Sequence, residues 1–242
     1  MKAMILAAGL GTRLKPFTDN HPKALAAVNG KSLLQRNILY LQQYGITEVI
    51  VNVHHFADQI MEAIEDHHGW GSKITVSDET AAVLETGGGL VKAQWYFTQE
   101  ENFVVMNADI LTDMHLGKMM EAHQAGRPMA TLAVSERNSS RCLLFDEQGK
   151  MVGWRNNATE EERGPVTAMN DRSKVHSKAF SGIHVLNNSI FSAITRTGKF
   201  SMIDVYVNAC ATHRIQEFDH TGSILLDVGK PESIEIAATL FP

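Results

Sequence analysis

An unbroken apolar run that ends in a glycine turn opens the chain, and it limits the possible folds more than any other feature. Residues 4–8 read MILAA and are followed at once by Gly9 and Gly11. A short apolar run without polar alternation is typical of a strand buried on both faces, as in a parallel sheet covered by helices. We therefore expect the chain to begin with a central strand of an α/β fold.

The rest of the first half alternates between strand and helix patterns. We expect strands at 48–53, 73–77 and 103–109, and helices at 33–44, 56–65, 89–97 and 115–124. This alternation predicts a parallel sheet with right-handed crossovers. The expected fold is therefore a Rossmann-like three-layer αβα architecture on a mostly parallel mixed sheet, with ligands at the carboxyl ends of the strands.

The second half has shorter strands and hairpin signals. We expect strands at 129–134, 142–145, 151–154 and 179–185, helices at 189–194 and 202–211, a strand pair around DHTGS, and a closing helix from Pro231. The turn DEQGK indicates a hairpin between the second and third of these strands. Residues 155–178 have almost no apolar periodicity and are long for a connection, which predicts either a functional flap or a disordered insertion.

Composition excludes several classes of function. The 242 residues carry 22 basic and 27 acidic side chains, a net charge of −5, with no basic run that could track nucleic acid. No apolar stretch approaches the roughly 18 residues of a membrane span. Cys142 and Cys210 are too few for a disulfide scaffold and are expected to be reduced packing residues. We expect a cytoplasmic protein with neither nucleic-acid nor membrane partners.

The loop after the first strand, GLGTRLKPFTDNHPKAL at residues 9–25, carries the most specific pattern. It fails the dinucleotide fingerprint, because Leu14 stands where the third small residue belongs and no acid follows about 20 residues later. It also lacks the GK[ST] of a Walker loop. Pro16 and Pro22 each remove a backbone donor and restrict the preceding residue, which predicts an extended loop.

The residue types in this loop favour a polyphosphate ligand. Gly9 and Gly11 allow a close backbone approach and can form an anion-binding nest. Arg13 offers a planar fork for phosphate oxygens and Lys23 a mobile point charge. A nucleoside triphosphate suits this set, whereas the GxG alone would more often be a plain turn beside two solvated cations.

The whole string resembles the signature of the sugar-1-phosphate nucleotidylyltransferases. ETGGGLVKA at 85–93, NAD at 107–109, FSGIHVL at 180–186 and LDVGKPES at 226–233 carry the resemblance further, in the family's order. It implies the nucleotide-diphospho-sugar transferase fold as a single domain, 1–242. In that domain 1–127 would be the nucleotide-binding half and 128–242 the sugar-binding half, with 155–178 as a flexible loop.

The resemblance also implies a site. The expected nucleotide-binding residues are Ala7, Ala8, Gly9, Gly11, Thr12, Arg13, Lys23, Glu85, Gly87, Gly88 and Asn107. The expected sugar-binding residues are Asn107, Ser181 and Gly182. By the same resemblance Asp109 and Asp227 would hold Mg²⁺, although each aspartate taken alone could be an ordinary cap or turn residue. Gly87 and Gly88 are expected to meet the flat base or to present amides at a helix N-terminus.

The implied reaction joins a nucleoside triphosphate to a sugar 1-phosphate and releases pyrophosphate. Two unit charges about 4 Å apart repel by about 4 kcal/mol at an effective dielectric of about 20, so cations are needed. Lys23 and Arg13 are the expected catalytic cations, on the α-phosphate and on the departing β and γ groups. The sugar phosphate, with a pKa around 6, needs no general base to attack in line.

The chain departs from the family pattern at a few positions. Ala108 stands where glycine is frequent, Ala24 and Ser32 stand where proline is, and the EKP-like sugar-phosphate motif is missing. Arg172, Lys174 or Lys178 of the 155–178 loop would then meet the sugar phosphate.

The ETGGG form and the short chain are most similar to compact uridylyltransferases acting on N-acetylmuramate 1-phosphate, which favours UTP. Similar sequences are mannose-1-phosphate guanylyltransferases, and a glycosyltransferase or a non-catalytic nucleotide-sugar sensor are the alternatives outside the family's reaction. The expected partners are the triphosphate and the sugar 1-phosphate, and the sequence is silent on oligomeric state.

Overall fold

Ten strands form one mixed sheet in the computed structural model, which describes residues 1–242. The strands of the chain are β1 (Ala3–Leu6), β2 (Ala27–Val28), β3 (Lys31–Ser32), β4 (Glu48–Val53), β5 (Lys73–Asp78), β6 (Asn102–Asn107), β7 (Ile110–Thr112), β8 (Ala130–Ser135), β9 (Arg141–Phe145), β10 (Met151–Asn156), β11 (Glu162–Arg163), β12 (His176–Asn187), β13 (Ile215–Asp219) and β14 (Leu225–Asp227). The helices are α1 (Leu33–Gln42), α2 (Ala57–Asp66), α3 (Glu85–Lys92), α4 (Leu116–Gly126), α5 (Ile190–Ala193), α6 (Met202–Ala209) and α7 (Pro231–Leu240).

The first strand lies at the centre of the sheet, as its apolar run predicts. β1 pairs in parallel with β4 on one side and with β6 on the other. Met4 and Ile5 have no exposed surface, and they belong to different core clusters because successive side chains of a strand point to opposite faces. The strand is therefore buried on both faces.

Helices cover each face of the sheet, which completes three layers. The core that contains Ile5 also takes in side chains of α1, α2 and α4. The core that contains Met4 takes in side chains of α3 and α6. The predicted αβα architecture is confirmed.

The second half extends the sheet through its longest strand. β12 runs antiparallel to β6 and to β8, so β6 and β8 point the same way. β13 is parallel to β8. The carboxyl ends of β1, β6, β8 and β13 therefore lie along the same edge of the sheet.

The predicted strand pair around DHTGS is wrong. β13 pairs with β8, whereas β14 pairs antiparallel with β7, directly after Asp109. Both segments have strand patterns, but a strand pattern does not encode its partner, and here each segment completes a different sheet. The result brings Asp227 back to the start of β7.

Two further expectations differ from the structure. The helix predicted at 89–97 is α3 at Glu85–Lys92 followed by a 3-10 turn at Gln94–Phe97, so the glycines lie inside the helix. Residues 155–178 contain β11 and a 3-10 turn at Pro165–Ala168, which differs from a disordered insertion and leaves a functional flap as a prediction. That turn buries Val166, which is 1% exposed and too isolated in a polar segment to be recognised from periodicity.

Two findings concern the cysteines and the helices of the chain. Cys142 and Cys210 are both free and buried, as expected of packing residues. None of the helices has the length and the apolar character needed to cross a membrane.

Candidate active site

A cavity of about 360 Å³ opens at the carboxyl ends of β1 and β6. Its lining residues are Leu6, Ala7, Ala8, Gly9, Lys23, Ala24, Asn52, Val83, Glu85, Thr86, Asn107, Ala108, Asp109 and Ser201. Seven residues of the predicted site are among them, drawn from three separate motifs of the sequence. The fold thus gathers the opening loop, the start of α3 and the NAD segment around one space.

A hydrogen-bonded relay fixes the backbone at the back of this cavity. The Ala7 amide donates to Oδ1 of Asn52 at 2.7 Å, and Nδ2 of Asn52 donates to Oε1 of Glu79 at 2.8 Å. Asn52 is 2% exposed and Glu79 has no exposed surface. The sequence analysis missed both residues, although an asparagine inside the apolar strand VIVNV was a usable signal, since buried polar groups need partners.

Glu79 is an unusual member of the relay, because it is a buried carboxyl group that forms no ion pair. Its Oε2 has no hydrogen-bond partner. Burial raises the pKa of Glu79, although the hydrogen bond from Asn52 acts in the opposite direction. The relay also explains a glycine of α3: a methyl group at Gly89 would stand 2.7 Å from Glu79 Oε1 and 2.8 Å from Asn52 Nδ2.

Lys23 lies between the two predicted metal ligands. Its ammonium group donates a hydrogen bond to Oδ2 of Asp109, and it lies 3.8 Å from Oδ1 of Asp227. Arg13 Nη2 is 3.9 Å from Oδ2 of Asp227. Burial raises the pKa of Asp227, the neighbouring Asp109 raises it further, and Lys23 and Arg13 act to lower it. The two carboxylates therefore repel each other enough that they need cations between them.

The residues present fit a hard divalent cation. Asp109 and Asp227 supply carboxylate oxygens, which Mg²⁺ prefers, and the pKa of Asp227 is already raised in part by Asp109, a conflict that positive charge relieves. No third acidic, imidazole or thiol group joins the pair. An ion with only two protein ligands leaves positions for water and phosphate oxygens, which is the usual arrangement at magnesium–nucleotide sites.

The opening loop is wound more tightly than predicted. Instead of an extended segment it contains three 3-10 turns, at Thr12–Leu14, Phe17–Asp19 and Lys23–Leu25. Gly11 has a φ of +63°, and a methyl group there would stand 2.9 Å from Cβ of Lys23. The prolines restrict their neighbours but do not prevent short turns.

Gly11, Thr12 and Arg13 do not line the cavity but lie beside it. The Arg13 side chain is 63% exposed and reaches only Asp227. Thr12 is also exposed. These residues form a rim next to the two aspartates.

Gly87 and Gly88 do not present their amides to the cavity, contrary to expectation. Both N–H groups donate to the carbonyl oxygen of Phe200, at 2.9 and 3.4 Å. A methyl group at Gly87 would overlap the Phe200 ring, and one at Gly88 would overlap the carbonyl oxygen of Gly198. These glycines allow close packing of α3 against residues 198–200. Glu85, at a left-handed φ of +59°, and Thr86 are the residues of this motif that line the cavity.

Ser181 and Gly182, the expected sugar-binding residues, lie outside the lining of this cavity. Ser181 has no exposed surface, and its hydroxyl is hydrogen-bonded to Nε2 of His220 at 2.7 Å. Gly182 has a φ of +75°, and a methyl group there would come within 2.9 Å of Nδ2 of Asn107. Gly182 therefore packs against Asn107, Ser181 is bonded to His220, and neither residue lines the cavity.

The three cations suggested for the sugar phosphate are all paired with acids. Arg172 is hydrogen-bonded to Glu162, and Lys174 lies 3.2 Å from Glu147. Lys178 donates to both Glu136 and Asp219, at 2.7 and 2.8 Å. The hypothesis that one of them replaces the missing EKP-like motif is not supported by this geometry, because each of the three cations is already paired with an acid inside or outside the 155–178 segment.

Comparisons with known proteins show the family of the chain. A family model described as nucleotidyl transferase matches residues 2–240. N-acetylmuramate alpha-1-phosphate uridylyltransferase of Neisseria meningitidis serogroup B is 30% identical over 235 residues, which are 95% of this chain and 93% of that protein. A probable mannose-1-phosphate guanylyltransferase of Oryza sativa subsp. japonica is 29% identical over 199 residues, which are 80% of this chain and 52% of that protein.

A solved structure shares the fold over the whole chain. HddC from Yersinia pseudotuberculosis, in complex with GMP-PN, has a TM-score of 0.79 and 24% sequence identity, covering 100% of this chain and 99% of that chain. At this identity the likeness concerns the fold.

Proposed function

The chain belongs to the nucleotidyl transferase family, and from that premise we propose that it transfers a nucleoside monophosphate from a nucleoside triphosphate to a sugar 1-phosphate, with release of pyrophosphate. The observation that carries this proposal is the position of Lys23 between Asp109 and Asp227, at a cavity walled by Ala7, Ala8 and Gly9. A cation and two acids beside a glycine turn suit the meeting of two phosphates.

The nucleotide lies in the cavity with its base against the backbone of Ala7 and Ala8 and the start of α3 at Glu85. Support comes from the relay through Asn52, which accepts a hydrogen bond from the Ala7 amide and keeps this stretch of backbone in place. Asn107 lies between this cavity and Gly182, where nucleotide and sugar meet. Because this wall is already rigid, little of the protein has to be ordered when a flat base binds.

Catalysis then consists of positioning and charge neutralisation. Lys23 binds the α-phosphate, and Arg13, which is free to move at the rim, binds the phosphates that leave. Asp109 and Asp227 would hold Mg²⁺, which supplies further positive charge to the phosphate oxygens. The sugar phosphate attacks in line as a dianion, so no residue of the chain needs to remove a proton.

For the two substrates we propose UTP and N-acetylmuramate 1-phosphate. The support is the Neisseria meningitidis uridylyltransferase, which the chain matches over 93% of that protein's length. The alternative is GTP with mannose 1-phosphate, supported by the rice guanylyltransferase, which the chain matches over 52% of that protein's length.

The proposal is tested by pyrophosphate release in the presence of magnesium. UTP, GTP, CTP, ATP and dTTP are crossed with the 1-phosphates of N-acetylmuramate, N-acetylglucosamine, glucose and mannose, and Lys23→Ala serves as the inactive control. UTP with N-acetylmuramate 1-phosphate is expected to be the fastest pair. GTP with mannose 1-phosphate as the fastest pair would replace the proposed substrates, and no turnover by folded protein that binds nucleotide would reject the reaction.

A further inference from the structure

A second cavity, of about 530 Å³, opens at the carboxyl end of β8. We name it the Arg137 cavity, and its polar lining includes Glu136, Arg137, Asn138, Ser139, Asn157 and Ser177. Because β8 and β6 point the same way, this cavity lies along the same sheet edge as the cavity lined by Ala7, Lys23 and Asp109. We name that first cavity the nucleotide cavity, after the ligand of the proposed function. It is thus placed where ligands of α/β sheets bind.

One short segment of β12 separates the two cavities. Ala179 lines the Arg137 cavity, while Gly182, three residues further on, packs against Asn107 of the nucleotide cavity. A molecule bound beside Asn107 can therefore extend into the Arg137 cavity.

No acid neutralises Arg137. It is the only lysine or arginine in the lining of the cavity, and it has no carboxylate within 4.0 Å, whereas Lys178 beside it contacts two. Its single hydrogen bond runs from Nη2 to the carbonyl oxygen of Phe180, at 2.6 Å. A guanidinium has five N–H donors, so most of them remain available to a ligand.

The loop that carries Arg137 is anchored through Glu136, the residue before it. The Glu136 amide donates to Oγ1 of Thr221 at 2.9 Å, and the Glu136 carboxylate accepts from Lys178. Burial alone acts to lower the pKa of Lys178, but its hydrogen bonds to Asp219 and Glu136 outweigh burial and raise it. Lys178 therefore stays charged and ties the loop to β13, which keeps the guanidinium in place before a ligand arrives.

We infer that the Arg137 cavity receives the acceptor sugar and that Arg137 binds an oxyanion of this acceptor, either its phosphate or a carboxylate on the sugar. The inference rests on the proposed function and adds the residue that selects an anionic acceptor. A planar fork with free donors matches both oxyanions in the same bidentate way. The neighbouring amides and hydroxyls of Asn138, Asn157 and Ser139 are suited to the sugar's hydroxyl groups.

The test compares Arg137→Gln and Arg137→Lys with the wild-type chain, using magnesium and the nucleotide that the wild type prefers. The acceptor KM of Arg137→Gln should rise about 10- to 100-fold, the loss expected for hydrogen bonds to a charged group, while the nucleotide KM stays unchanged. Arg137→Lys should recover part of the loss, because lysine restores the charge but not the fork. Arg127→Gln, which removes an exposed arginine that makes no ion pair before the amino end of β8, is the matched control and should leave both KM values unchanged.

Two acceptors separate the two sources of the oxyanion. If Arg137 binds the phosphate, the KM rises for N-acetylmuramate 1-phosphate and N-acetylglucosamine 1-phosphate alike; if it binds the carboxylate, only the first is affected. An active Arg137→Gln enzyme with an unchanged acceptor KM overturns the inference alone. A wild-type chain that turns over no acceptor overturns the proposed function, and the inference with it.

Discussion

The side chain of Asn52 bridges Ala7 and Glu79 with hydrogen bonds of 2.7 and 2.8 Å. An asparagine amide can be rotated so that its oxygen and nitrogen exchange places, but the Ala7 N–H can only donate and therefore requires the oxygen on its side. The nitrogen is thereby directed to Oε1 of Glu79, which accepts its hydrogen bond and holds the side chain in this orientation. Glu79 is fully buried and does not line the cavity, but through Asn52 it fixes the backbone of Ala7, which does.

Replacing Glu79 should therefore weaken nucleotide binding without affecting the acceptor. Glu79→Leu leaves Nδ2 of Asn52 unsatisfied, which should lower the free energy of unfolding by about 1 to 3 kcal/mol. Because Asn52 then no longer holds the Ala7 backbone firmly, the nucleotide KM should rise. Glu79→Gln keeps an acceptor oxygen and should recover most of the affinity. Thr131→Val is the matched control, since it removes a buried hydroxyl of β8 that is bonded to His123 and takes no part in the relay. Equal nucleotide KM values in Glu79→Leu and wild type would contradict a role for the relay.

Lys23→Ala and Asp109→Asn should each reduce turnover while leaving the fold intact. The two side chains are 12% and 25% exposed and are bonded mainly to each other, so the core does not depend on them. Loss of one preorganised charge contact in phosphoryl transfer is expected to lower kcat by about 10²- to 10³-fold. Turnover is measured by pyrophosphate release and folding by circular dichroism. A folded Lys23→Ala protein with nearly full activity would remove Lys23 from the site.

The magnesium dependence of turnover should change when Asp227 is replaced. Chelation of divalent ions is expected to abolish turnover, and Asp227→Asn should shift the magnesium titration to concentrations roughly tenfold higher or more, because one of two carboxylate ligands is lost. Glu217→Gln is a suitable comparison, since this carboxylate is paired with His176 away from Lys23. An unaltered magnesium titration in Asp227→Asn would show that this aspartate does not hold the ion.

The glycines of α3 should matter for stability rather than for ligand contact. A methyl group at Gly88 would overlap the Gly198 carbonyl oxygen, so Gly88→Ala is expected to lower the free energy of unfolding by about 1 to 3 kcal/mol. At Gly126, also helical, the nearest atom to such a methyl is Pro128 Cδ at 3.6 Å. Gly126→Ala should therefore leave stability unchanged or raise it by about 0.5 to 1 kcal/mol. The stability of both variants is measured by urea unfolding. Equal unfolding midpoints for Gly88→Ala and Gly126→Ala would contradict the close packing at Gly88.

Acid should destabilise the fold through a buried histidine. His184 is hydrogen-bonded to the Tyr206 hydroxyl at 2.6 Å, and burial lowers the pKa of His184 from 6.5 to about 3. The unfolded chain therefore binds a proton below pH 6.5 that the folded chain does not bind until about pH 3, and stability is lost as the pH falls through this window. At pH 5 this amounts to about 2 kcal/mol.

Urea unfolding of wild type and His184→Gln at pH 7.5 and pH 5 measures this contribution. The variant should be less stable at pH 7.5 but should lose about 2 kcal/mol less on acidification. His123, whose pKa is lowered by burial to about 4, remains in both proteins and contributes equally to each. The same pH dependence in both proteins would exclude His184 as the cause.

Local patterns were sufficient for the family, the architecture and the position of most strands. Apolar runs such as residues 4–8 and 48–53 report burial on both faces directly, because side-chain periodicity is a property of the strand itself. The opening loop was distinctive enough to indicate a phosphate site and a family, and the family is confirmed by the match over residues 2–240. It did not reveal the loop's 3-10 turns, which are stabilised by contacts such as the bond from Thr18 Oγ1 to the Gly11 carbonyl.

Only the tertiary structure decided which side chains meet. Nothing near Asp227 in the sequence indicates that β14 pairs with β7 rather than with β13, yet that pairing brings Asp227 to Asp109. Equally, no local pattern separates Arg137, which no acid neutralises, from Lys178, which two acids hold. Periodicity and turn chemistry are set by neighbouring residues and can be read along the chain. Charge pairing, exposure and cavity walls depend on residues far apart in sequence, and they exist only once the sheet has brought those residues together.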